Sequence, residues 1–156
     1  MATSVTPSTL TVTITESITL NGTSYNQNVA KSITGIGNYS KGIFTLTGGA
    51  GATSGVTHNL AEFVPTASGE KYSVEDLRYV RVTNLDSTNK VTVSFASSAA
   101  AAGVECNAGA SAVLFDKRIS GVASKTPVSS TKAIDTLYIH NPNASGVDVE
   151  LVVATK

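Results

Sequence analysis

Tryptophan is absent from the 156-residue chain, and Cys106 is the only cysteine. A lone cysteine excludes an intramolecular disulfide and any zinc site built on several thiolates. It fits assembly in a reducing cytosol, or a fold that needs no covalent staple. Charge is scarce: 14% of residues are Asp, Glu, Lys or Arg, with 11 acidic and 11 basic residues and no net charge. Globular proteins carry about a quarter. A sparsely charged, neutral surface does little to keep copies apart, which suggests that neighbouring subunits cover much of it. Met1 to Pro7 has no basic stretch followed by an apolar core, so it does not read as a signal peptide. No run reaches the ~18 apolar residues of a membrane-spanning helix.

Threonine, serine, glycine, alanine and valine fill the space left by charge. Thr and Val favour a pleated surface, and Ser and Gly favour turns. Thr9 to Thr15 alternates strictly, with Leu10, Val12 and Ile14 on one face and threonines on the other, which is the strongest strand signal in the chain. Ile18 and Leu20 continue it to an Asn21-Gly22 turn. Tyr25 to Ile33 is expected to return as a second strand with Val29 and Ile33 inward. Ile43 to Thr47, Leu60 to Val64 and Ser111 to Phe115 read as further strands. Ser73 to Leu77 reads as one helical turn, Ser97 to Gly103 as a loop with at most a turn of helix, and Gly48 to Gly55 and Thr126 to Thr131 as loops.

One pattern occurs twice. Tyr79 to Asp86 passes through Ser87-Thr88-Asn89 into Lys90 to Phe95, and Leu137 to Pro142 passes through Asn143 to Gly146 into Val147 to Val153. Each is an alternating strand, an Asn-led polar turn and a second alternating strand, read here as a β-hairpin. The expected fold is all-β: an antiparallel, jelly-roll-like β-sandwich of about eight strands with little helix, spanning 9–156 behind an N-terminal arm at 1–8. The final strand, close to the C-terminus, is expected to be central or well paired.

Catalytic chemistry is not apparent. His58 and His140 stand in no metal-ligand spacing, no serine lies in a Gly-x-Ser-x-Gly elbow, and Cys106 has no adjacent base and reads as a buried inert thiol. Asn84, Asp86 and Asn89 gather oxygens in one turn. A calcium site wants more carboxylates, so turn formation is the expected role. No carboxylate pair is placed for acid–base work. The glycine-rich segment lacks a Gly-Lys-Ser/Thr ending, and no basic stripe interleaved with aromatics points to nucleic acid. Tyr25, Tyr39 and Tyr72 lie in polar contexts that suit sugar stacking. No cofactor or metal is expected.

The order strand–Asn turn–strand, then Gly109 to Phe115, then strand–Asn turn–strand resembles that of small jelly-roll structural proteins of tailed-bacteriophage virions, above all capsid decoration or cement proteins. The resemblance implies a non-enzymatic virion protein assembled in a bacterial cytoplasm. It implies a homo-oligomer, often a trimer, that clamps the major capsid protein from outside and has no nucleic-acid or membrane partner. Tail and fibre modules that bind host-surface glycans share much of the pattern. Strand addition by the N-terminal arm to a partner sheet would place Thr3, Val5, Pro7 and Leu10 at the assembly interface.

Overall fold

The chain is described here from a computed structural model covering residues 6–48, 55–59, 77–97, 100–116, 120–122, 131–133 and 136–156. It is all-β and antiparallel, with no helix among the described residues. Twelve strands occur among the described residues: β1 (Ser8–Leu20), β2 (Thr23–Ile36), β3 (Asn38–Leu46), β4 (Gly55–Asn59), β5 (Leu77–Asn84), β6 (Val91–Ser97), β7 (Ala100–Cys106), β8 (Ser111–Phe115), β9 (Ser120–Val122), β10 (Thr131–Ala133), β11 (Thr136–His140) and β12 (Val147–Thr155). Eight of them form two four-stranded sheets, in the orders β3-β12-β5-β8 and β4-β11-β6-β7. These interleaved orders are those of a jelly roll. The pairs β1-β2 and β9-β10 stand outside the two sheets.

Alternation explains the core. Val80 and Val82 of β5 and Val149, Leu151 and Val153 of β12 project from one sheet, with Val93 and Phe95 of β6 and Leu137 and Ile139 of β11 from the other. All are buried. β12 pairs with β3 on one side and β5 on the other, so the C-terminal strand is central, as expected.

The repeated segments are not hairpins. β5 lies in one sheet and β6 in the other, and β11 and β12 are likewise divided. Each repeat is an arch that crosses the sandwich. The two arches interlock, because β5 pairs with β12 and β6 with β11. The physical reason lies in two asparagines. At a crossing the ladder stops and its backbone groups need other partners. Asn84, fully buried, donates from Nδ2 to the carbonyls of Asn89 (2.8 Å), Cys106 (3.1 Å) and Asn107 (3.1 Å), and its Oδ1 accepts from the Asp86 amide. Asn141, also fully buried, donates to the carbonyls of Leu46 (3.1 Å) and Ser145 (2.9 Å), and its Oδ1 accepts from the Asn143 amide. The same side chain does the same work at both crossings.

Ser97 to Gly103 also differs from expectation. β6 runs through Ser97 and β7 begins at Ala100, so the alanine run feeds a strand rather than a helical turn. Pairing along all of β7 with β6 overrides alanine's local preference for helix. The strand expected at Leu60 to Val64 lies outside the described residues, as does most of the glycine-rich loop; of the helical turn expected at Ser73 to Leu77 only Leu77 is described, and it opens β5, and of the loop expected at Thr126 to Thr131 only Thr131, which opens β10.

Candidate functional site: an apolar ribbon

β1 and β2 form a long two-stranded ribbon closed by Asn21 and Gly22, whose φ values of 50° and 79° are those of a two-residue type I′ hairpin turn. Leu20 pairs with Thr23, and the register runs unbroken to Thr9 opposite Thr34. Alternation then sorts the side chains into two faces. One carries Thr9, Thr11, Thr13, Thr15, Ser17 and Thr19 with Thr34, Ser32, Ala30, Asn28, Asn26 and Ser24. The other stacks the rungs Leu10/Ile33, Val12/Lys31, Ile14/Val29, Glu16/Gln27, Ile18/Tyr25 and Leu20/Thr23.

Only the base of the apolar face is covered. Leu10, Val12, Ile33 and Ile36 pack with Tyr79, Val152, Ala154 and Phe115, which sit on the outer face of the β3-β12-β5-β8 sheet. An ion pair from Lys31 to Asp116 (3.2 Å) sits beside this contact; both side chains are exposed, so it adds little energy. Beyond the base the ribbon stands free. Ile14, Ile18, Leu20, Tyr25 and Val29 are 45%, 49%, 55%, 58% and 48% exposed. An open groove of ≈ 710 Å³ runs along Glu16, Ile18, Tyr25 and Gln27. A monomer rarely exposes five large apolar side chains along one strip, here interrupted by the Glu16/Gln27 rung.

The uncovered part of the outer sheet face is mixed. Tyr39 and Ile43 of β3 are exposed. Between β3 and β5 lies Glu150 of β12, which accepts from Lys41 (2.6 Å) and from Arg81. The hydrogen bond from Lys41, with Arg81 beside it, holds the Glu150 carboxyl below the usual range, against a burial that opposes this.

Of the four residues expected at an assembly interface, Thr3 and Val5 lie outside the described residues. Pro7 is exposed immediately before β1. Leu10 is half-buried against its own chain at the ribbon base. Of the exposed residues Ile14, Ile18, Leu20, Tyr25 and Val29, the sequence marks only Tyr25 as a binding candidate, for sugar stacking. Their signal is length: alternation sustained on both sides of an Asn-Gly turn over strands of 13 and 14 residues exceeds the usual five or six.

The remaining polar and reactive groups have structural roles or stand apart. Asp86 accepts the Thr88 and Asn89 amides at 2.7 Å each, and these bonds lower its pKa to about 2. The oxygen-rich turn is therefore held by backbone donors. Cys106 is buried in the wall of an apolar crevice of ≈ 350 Å³ between β7 and β8, and burial pushes its thiol pKa up. His140 is half-buried and stacks on Tyr138 with ring centroids 6.5 Å apart. Tyr25 and Tyr39 are each 58% exposed, and Tyr72 and the side chain of His58 lie outside what is described. No group of three or more His, Cys, Asp or Glu able to hold a metal occurs among the described residues. No protein family matches the chain, and no curated protein or solved structure matches it.

Proposed function

We propose that the protein is a non-enzymatic virion structural component, a decoration or cement protein that sits on the outside of a phage capsid and stabilises the shell of major capsid protein. The observation that carries this reading is the free apolar strip on the β1–β2 ribbon, projecting from a jelly roll. Apolar surface held out into solvent is lost energy for a free monomer and useful surface in an assembly. The low charge supports the same reading, since closely packed copies repel one another little. In a shell, modest contacts repeated over many copies sum to a large stabilisation.

The test is binding of the purified chain to undecorated capsids, read by cryo-imaging and by heat resistance of the shell. Saturable occupancy of symmetry-related sites with a rise in capsid melting temperature is the expected result. Deleting Ala2 to Pro7 then asks whether the N-terminal segment contributes; loss of binding with an intact fold is expected if it adds a strand to a capsid sheet.

A second reading rests on the exposed rings of Tyr25 and Tyr39. Aromatic faces in solvent can stack on sugars, as a tail or fibre module binding host glycans requires. Absence of capsid binding together with retention on host cells, lost on Tyr25→Ala or Tyr39→Ala, would favour it. Binding to neither capsid nor cells would remove both readings.

A further inference from the structure

From the ribbon we infer that its free apolar face is a self-association surface: it packs against the same face of ribbons from other copies of the chain, with the ribbons parallel and their Asn21-Gly22 tips together. This concerns the free protein in solution and does not depend on the capsid reading.

Three observations lead to it. First, the free ribbon lacks support. From Thr13 to Leu20 it reaches about 27 Å at ~3.4 Å per residue, and an isolated two-stranded hairpin is marginal in water. Its regular register calls for a cover on the apolar side. Second, the chain already uses this face to cover a sheet. At the base, Leu10, Val12, Ile33 and Ile36 of the same ribbon lie on Tyr79, Val152, Ala154 and Phe115. The free rungs continue that contact with the same kinds of side chain.

Third, the rung order selects the occupant. The apolar rungs Ile14/Val29 and Ile18/Tyr25 are separated by one polar rung, Glu16/Gln27. When parallel ribbons face one another in register, β1 of one copy lies over β2 of the next. Ile14 then meets Val29, Ile18 meets Tyr25, and the Glu16 carboxylate meets the Gln27 amide, which can donate to it. When antiparallel ribbons face one another about that rung, β1 lies over β1 and two Glu16 carboxylates meet in an apolar setting, which is repulsive. Over the free rungs the face is thus self-complementary in the parallel sense; the contact is confined to those rungs, with the ribbons diverging below Ile14, because each base is covered by its own sheet.

Sedimentation of the full chain tests the surface. The wild type is expected to sediment as an oligomer at tens of micromolar, and the triple variant Ile14→Ser, Ile18→Ser, Tyr25→Ser as a monomer with an unchanged circular dichroism spectrum. A monomeric wild type, or a folded variant that stays oligomeric, would overturn the inference. Cysteine pairing keeps the question open to refutation should the triple variant fail to fold. Ile18→Cys mixed with Tyr25→Cys should cross-link between copies faster than either variant alone. Preferential cross-linking of Ile14→Cys with Ile18→Cys would mean antiparallel ribbons, and no cross-linking in either mixture would mean no ribbon–ribbon contact; both results reject the parallel arrangement.

Discussion

At the scale of the residue, the most consequential side chains are two asparagines that bury completely. Truncating Asn84 takes a donor from the carbonyls of Asn89, Cys106 and Asn107, of which Asn107 still accepts from the Ala110 amide, and takes the acceptor from the Asp86 amide. Buried unsatisfied groups cost more than the hydrogen bonds they once made are worth. Asn84→Ala is therefore expected to destabilise the fold by about 2–4 kcal/mol, and Asn141→Ala by a similar amount, read from urea unfolding midpoints. A turn aspartate gives a pH signature. Asp86 has a folded-state pKa of about 2, against 3.8 ordinarily, so the unfolded chain binds the proton more readily. Its contribution to stability is whole above pH 3.8 and disappears as pH falls towards 2. Unfolding midpoints measured across that window should fall more steeply for the wild type than for Asp86→Asn, which has no carboxylate to protonate. Gly48 marks a close approach: a Cβ there would meet the backbone of Ala144 and Ser145 in the second arch. Neither neighbour is the end of a flexible side chain, so Gly48→Ala should lower stability by about 1–3 kcal/mol, as overpacking does.

At the scale of the element, the limits of local pattern become clear. Alternation of Leu10, Val12 and Ile14 with threonines correctly signals a strand, and Asn21-Gly22 correctly signals its turn, because both depend on neighbours in sequence. Whether Tyr79 to Asn84 pairs with Val91 to Ser97 or crosses away from it does not. The choice is made by β12 and β11, about 40 residues or more on, which supply the ladders that the two strands take up. The two Asn turns resemble hairpin turns because asparagine serves both; only burial of its amide distinguishes an arch. The ribbon shows the same limit from the other side. Period-two alternation tells which residues share a face and is silent on what covers it, so Val29 is expected inward and is 48% exposed, while Ile33, two repeats of the pattern nearer the base, is buried. The ribbon tip also has its own stability. Gly22 at φ 79° holds a conformation that a Cβ disfavours by roughly 1–2 kcal/mol. Since the free ribbon can open without the sandwich opening, Gly22→Ala should speed hydrogen exchange of ribbon amides such as Ile18 and Tyr25, which lie in a hydrogen-bonded pair of the ladder. The global unfolding midpoint should be unchanged.

At the scale of the whole molecule, two bodies of structure have different tasks. The sandwich buries Val80, Val82, Val93, Leu137, Ile139, Leu151 and their neighbours and holds its crossings with Asn84 and Asn141. The free ribbon leaves Ile14, Ile18, Leu20, Tyr25 and Val29 45–58% exposed. Removing 13–30 and joining Val12 to Lys31 through an Asn-Gly turn keeps the base contacts of Leu10, Ile33 and Ile36. Such a chain should unfold within about 1 kcal/mol of the wild type when both are compared as monomers, because surface changes away from packed groups have small effects. Any larger loss measured for the oligomer then reports the cover that other copies supply, since a partner that binds only the folded state adds stability by mass action. The comparison turns on protein concentration. For the wild type, the melting temperature should rise with concentration, and for the shortened chain it should stay flat. A flat profile for both would mean that the apolar strip meets water throughout, and the reason for its strict alternation would have to be sought in a partner of a different kind.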